Sequence, residues 1–347
     1  MHRLAIILAV LGSSAAHAAP MKVFIIAGQS NAVGGGAPGT LEPALTTPQQ
    51  SLYQFRLQGA QLLPQESEHW EQLRPLLIPQ VSTFGAEVSF GQAMHRRLGE
   101  PVAIIKVAAN GTSLGARWAP RLNDLYPWMM EKVNSSLAQL VDQGIQPDLG
   151  GFLWIQHEGD AGVLSLAQAY GDNLRELATT LRTDLAAPAL PFLINEVHSQ
   201  LNRSFVNELR QSQFNALAAD PLMQMFNADD LALNTDFVHF TGGMHIEVGR
   251  RFADLLLPSA DFDNDGDVDG TDLSIVRTSV GTSRAGDGNA DGVTNGADFL
   301  LWQRQVTPVN PSLVVNAVPE PGSLALLGCL IPALKRLASR RAKLGPR

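Results

Sequence analysis

The chain contains a single cysteine, Cys329, so it can form no intramolecular disulfide, and its stability has to come from core packing or from metal. Charge is scarce at 17 % of residues, the formal net charge is −8, and no basic stripe is present. Nucleic-acid binding, which needs clustered Lys and Arg, is excluded on that ground. The apolar runs near the two ends, Leu4–Leu11 and Ser323–Leu334, both fall short of the roughly 20 residues that cross a bilayer. Two further elements are missing. The glycine-rich stretch Gly34-Gly35-Gly36 is not followed by Gly-Lys-Ser or Gly-Lys-Thr, which argues against a phosphate loop, and no long apolar insertion reads as a lipid-binding lid.

What is present suffices for a large core: 45 % of the 347 residues are apolar, which suits one large domain with appendages. His2 and Arg3, the apolar run and the ending Ala16-His17-Ala18 have the pattern of a cleaved export signal over residues 1–18. From Met21 to Pro258 short apolar runs alternate with helical periods. Val23–Ala27, Val102–Val107, Phe152–Ile155 and Pro191–Asn195 read as buried strands. Val88–Leu98, Leu122–Asp142, Leu166–Leu185, Phe205–Ala219 and Gly243–Leu257 read as helices. That alternation predicts an α/β fold with a parallel sheet covered on both faces, and ligands at the carboxyl ends of its strands.

Gly28-Gln29-Ser30-Asn31 follows the first strand directly, where a serine hydroxyl can project into a cleft and its N–H can help to bind an oxyanion. Asp236-Phe237-Val238-His239 allows a carboxylate to orient an imidazole whose other nitrogen accepts the serine proton. Each motif alone is an ordinary turn or helix cap. Together with Lys106–Ser113, Trp154-Ile155-Gln156-His157-Glu158-Gly159-Asp160 and Phe84-Gly85-Ala86-Glu87, they resemble the SGNH hydrolases, and more narrowly the sialate-O-acetylesterase-type and family 6 carbohydrate esterases.

The resemblance spans residues 22–257 and implies a three-layer, flavodoxin-like parallel sheet in a domain over 19–258. It also implies Ser30 as nucleophile, His239 as base, and Asp236 or Glu158 as the acid, with Asp236 preferred for its closeness in the chain. The oxyanion hole would comprise the N–H groups of Ser30 and Gly111 and the Gln156 side-chain amide. Catalysis needs no cofactor, and the implied substrate is an acetylated polysaccharide or oligosaccharide. Two rivals stay open: a lipid or aryl esterase of the same superfamily, and a catalytically silent glycan-binding protein. Gln156-His157-Glu158 and Asn110-Gly111-Thr112 stand where relatives carry Gln-Gly-Glu and Gly-Gly-Thr. Trp118 reads as core or as a sugar platform, Glu87 as a cap or ion-pair partner, and Lys106 as a stem packed beside the site.

Composition breaks after Pro258. Between Asp261 and Asp298 nine aspartates face two arginines, a local balance of −7. Asp261, Asp263, Asp265, Asp267, Asp269 and Asp272 occupy positions 1, 3, 5, 7, 9 and 12 of an EF-hand loop, with Gly266 at the turn. Asp287, Asn289, Asp291, Val293, Asn295 and Asp298 repeat the pattern 26 residues later. Residues 259–306 therefore read as a small α-helical, structural Ca2+ module that resembles a type I dockerin, which implies a cohesin-like partner. Residues 307–322 read as a Pro-rich linker. Val318-Pro319-Glu320-Pro321, an apolar run and a basic end resemble a PEP-CTERM sorting signal over 318–347. This implies an exported bacterial protein whose tail meets the membrane or its sorting machinery.

Overall fold

The structure, a computed structural model, describes residues 20–37, 39, 41–59, 65–78 and 81–306. The expected signal (1–18), linker (307–322) and sorting tail (318–347) lie outside the described residues.

Strand β1 (Met21–Gly28) is apolar on both faces because both faces are covered. Val23, Ile25 and Ala27 enter one apolar cluster, Phe24 and Ile26 the other. Around it lie β2 (Leu52–Gln58), the short β3 (Gln65–Glu66) and β4 (Glu71–Gln72), β5 (Leu76–Ile78) and β6 (Val81–Thr83). Then come β7 (Ala103–Ala109), β8 (Pro147–Ile155), β9 (Phe192–Asn195) and β10 (Met223–Phe226). The eight-stranded sheet runs β10-β9-β8-β1-β7-β2-β3, with β4 also paired to β2. Pairings from β10 to β2 are parallel, while β3 and β4 are antiparallel partners of β2. Strands β5 and β6 form a separate antiparallel pair.

Between the strands come α1 (Ser30–Val33), α2 (Pro43–Thr46), α3 (Glu87–Leu98), α4 (Leu125–Asp142), α5 (Leu164–Asp184), α6 (Val206–Ala219) and α7 (Gly242–Leu256). Met129, Leu174 and Leu209 place α4, α5 and α6 on one face of the sheet; Phe90 and Phe252 place α3 and α7 on the other. The sequence misses β2 because Gln54 and Arg56 interrupt its apolar run. Both are buried, with Arg56 paired to Glu66 at 2.9 Å and to Glu131 at 3.0 Å, so polar partners substitute for apolar side chains.

From β1 the chain runs out to β2, returns to β7 beside β1, then crosses to β8 on the other side. This reversal opens a crevice at the carboxyl end of β1. Gly28 pairs with both Ala108 and Ile155, so residues 29–30, 110–111 and 156–158 leave the sheet at nearly one level. Gly28 has φ 146°, and a Cβ there would come within 2.0 Å of the Ile155 carbonyl oxygen, so only glycine lets β1 and β8 approach this closely.

Residues 259–306 carry two loop–helix units ending in α8 (Gly270–Ser279) and α9 (Gly296–Gln305). The loops match residue by residue. Asp261 accepts from the Gly266 N–H at 3.2 Å as Asp287 does from Gly292 at 2.9 Å. Asn264 and Ala290 take positive φ (60° and 58°), and Asp269 and Asn295 each begin a capping box closed by Asp272 and Asp298. The pair packs against the sheet domain, with Arg284 donating to the Asn227 carbonyl and Arg96 to that of Asn264.

Candidate active site

Strand β1 ends and α1 begins at Ser30, whose N–H, in the first turn, has no acceptor within the helix. Gly34 follows with φ 98°, and a Cβ there would come within 2.4 Å of the Phe84 carbonyl oxygen; glycine is required at this position too. The loop before α7 brings His239 to the same crevice. Its Nε2 lies 2.8 Å from Ser30 Oγ, and its Nδ1 lies 2.6 Å from Asp236 Oδ2. The other Asp236 oxygen accepts the N–H groups of Val238 (2.9 Å) and His239 (3.0 Å), which locks the carboxylate against the ring. Burial alone would raise the Asp236 pKa. The His239 ring and these two N–H groups outweigh it and hold the carboxyl at about 2. Between the two residues Phe237 carries φ 53° and an exposed ring.

Glu158 is placed elsewhere. Its carboxylate is buried and accepts from the side-chain amides of Gln29 and Asn31 on either side of Ser30, and from the His157 N–H at 3.1 Å. Asn31 also accepts the Phe240 N–H at 3.1 Å and donates to the Val238 carbonyl at 3.1 Å. Glu158 and Asn31 thus tie the serine turn to the histidine loop.

Gln156 departs from the oxyanion role expected of it. Its amide donates to Asp160 Oδ2 at 2.7 Å and to the Thr112 carbonyl at 3.2 Å, so both N–H groups are taken. Asp160 also accepts from the N–H groups of Leu114 (2.7 Å) and Gly115 (2.8 Å). Gly111 is exposed, has φ 66°, and its N–H makes no hydrogen bond among the described residues.

The remaining candidates are structural. Lys106 is buried, pairs with Glu87 at 2.8 Å and donates to the Val33 carbonyl at 2.8 Å, bracing the serine turn from below. Trp118 is fully buried against Trp154 and donates to Thr112 at 2.8 Å, which makes it core and not a sugar platform. His157 is buried with Nε2 at 2.7 Å from Asn195, and burial lowers its pKa. Asn110, given no role in the sequence reading, and Asn234 and His245, which no motif marks, line an open cavity of about 210 Å³ with Ser30 and His239. Asn110 could have been found from its place beyond β7; nothing in the helical period marks His245.

In the first acidic loop, carboxylate oxygens of Asp261, Asp263 and Asp265 lie within 4.8 Å of one another, as do those of Asp267, Asp269 and Asp272. Burial, and then the neighbouring carboxylates, raise the pKa of Asp261 and of Asp287. Such crowding suits a hard cation wrapped in oxygens.

Residues 20–258 match the family model described as carbohydrate esterase, sialic acid-specific acetylesterase. An Arabidopsis thaliana protein named "Probable carbohydrate esterase" is 24 % identical over 257 residues, 69 % of this chain and 91 % of its own length. The crystal structure of an Arabidopsis thaliana protein shares the fold at TM-score 0.55 and 23 % identity, covering 69 % of this chain and 98 % of that one. A carbohydrate acetylesterase of Xanthomonas citri gives TM-score 0.47 at 20 % identity, over 67 % of this chain and 55 % of that one. With well over half of its length matched by the model, the chain belongs to the sialic acid-specific acetylesterase family of carbohydrate esterases.

Proposed function

We propose that this protein is an exported carbohydrate O-acetylesterase that works through a Ser30 acyl-enzyme. The observation that carries the reading is the unbroken relay from Ser30 Oγ to His239 (2.8 Å) to Asp236 (2.6 Å). Asp236 holds the Nδ1–H tautomer, so Nε2 takes the Ser30 proton as Oγ attacks the ester carbonyl. His239 then returns that proton to the departing sugar oxygen, and the acetyl group stays on Ser30. Water, deprotonated by the same nitrogen, releases acetate and restores the serine. Backbone N–H groups of Ser30 and Gly111 are the proposed donors to the oxyanion, a role that does not require Gln156.

Acetylated glycans are the substrates that family membership favours, and the cavity supports a small polar one, because its lining includes no aliphatic side chain. Residues 259–306 are proposed to bind structural Ca2+ and to offer a face to a cohesin-like partner. The test of the substrate class is kcat/KM on acetyl, butyryl and octanoyl esters of one alcohol. The account expects acetyl to lead; a maximum at octanoyl would make the protein a lipase.

A further inference from the structure

His245 stands on the first turns of α7, 1 % exposed, with its ring edge-to-face between Phe84 and Phe240. It lines the Ser30 cavity, and Nε2 faces Gly35, where an added Cβ would lie 3.5 Å away. Neither ring nitrogen has a hydrogen-bond partner among the described residues. Burial first, then Lys106 and His239, lower its pKa to about 3, so at neutral pH the ring offers one donor and one acceptor. A residue needed only to fill space between two phenyl rings would be apolar, because a buried polar group without a partner destabilises the fold. Asn110 Oδ1, buried in the wall of the same cavity, is also unpartnered. Two unmatched polar side chains therefore converge beside the nucleophile.

We propose that His245 is a specificity-determining residue that binds a hydroxyl group of the carbohydrate beside the ester that Ser30 attacks. The inference rests on the esterase reading of this cavity. A hydroxyl both donates and accepts, so it satisfies whichever ring nitrogen it meets. An alkyl alcohol or a longer acyl chain entering the same space leaves both nitrogens unpaired. A site built to pair with a hydroxyl rejects analogues that lack it more strongly than an apolar pocket rejects extra bulk.

The experiment compares kcat/KM on methyl glucosides carrying one acetyl group at O2, O3 or O6 with kcat/KM on ethyl acetate. It uses the wild type, His245→Leu and His245→Gln. The ratio of the best glucoside to ethyl acetate falls at least about tenfold in His245→Leu. It is substantially restored in His245→Gln, whose amide again donates and accepts. An equal loss on both esters in His245→Leu, or the same ratio in the two variants, overturns the inference. In parallel, the His245 imidazole 15N resonances are followed in Ser30→Ala protein, which does not depend on either variant folding. They shift with the acetylated glucosides and not with ethyl acetate; no shift with any glucoside overturns the inference. A wild type that hydrolyses ethyl acetate but none of the glucosides also contradicts it while leaving the esterase intact. Should no ester be hydrolysed, the esterase reading fails, and the imidazole titration alone decides the binding claim.

Discussion

Gln156 donates its side-chain amide to Asp160 at 2.7 Å, and this bond sets the floor of the crevice in place of an oxyanion contact. Burial pushes the Asp160 carboxyl up to about 6, against the hydrogen bonds from Gly115, Gln156 and Leu114 that lower it. The folded protein therefore keeps a proton on Asp160 that the unfolded chain, with a carboxyl near 3.9, has already released. This contribution to stability is complete below about pH 4 and is lost as pH rises through about 6, by at most about 3 kcal/mol. Denaturant unfolding across that window should show the decline, and Asp160→Asn should flatten it. A 13C titration placing the Asp160 carboxyl below pH 4 would contradict this prediction.

Glu158 and Asp236 should respond differently to substitution. Asp236→Ala removes the partner of the His239 ring and should lower kcat by about 10⁴, the loss seen on deleting the acid of a serine protease. Glu158→Gln leaves Gln29 and Asn31 facing an amide in place of a carboxylate. It should cost about 1–3 kcal/mol of stability, with a smaller loss in kcat from a shifted Ser30 turn. If Glu158→Gln proves the more damaging in kcat at wild-type stability, Glu158 is the acid and Asp236 the helper.

Calcium should stabilise residues 261–305 without entering the chemistry. A ligand that binds only the folded form at a hundredfold excess over Kd contributes about 2.7 kcal/mol. Chelation should lower the melting temperature of this segment and leave ester hydrolysis in place. Activity that falls in step with calcium would show that the loops support the active site directly.

The strong signals in the sequence were those with one physical cause. Val23–Ala27 reads as a buried strand because both faces are apolar, and Ser30 and His239 stand out only because their two motifs occur together, in order, with the blocks that carry the resemblance. Helix α3 was legible from its period to within a residue at its start, and the structure ends it at Gly99 with φ 73°. Strand β2 was not legible, because the partners that make Gln54 and Arg56 acceptable inside the fold come from other segments: Ser136 and Gln139 for Gln54, Glu66 and Glu131 for Arg56. Strand β10, at the sheet's edge, was not legible either, because its two middle residues, Gln224 and Met225, are only half-buried and no continuous apolar run marks it. The Glu158 and Gln156 contacts are set by loops meeting at the switch point. Chain order indicates that these loops are neighbours; it does not indicate which donor each oxygen takes.

The central claim is that Ser30 carries the acetyl group. The most direct test is intact-protein mass spectrometry after rapid acid quench during turnover of an acetylated glycan, with released acetate measured on the same samples. The account predicts a species heavier by one acetyl group, about 42 Da, mapped to Ser30. In Ser30→Ala that species should be absent and acetate release should fall by about 10⁶. Acetate released by Ser30→Ala at a rate near the wild type, or an acetyl group mapped to another residue, would contradict it.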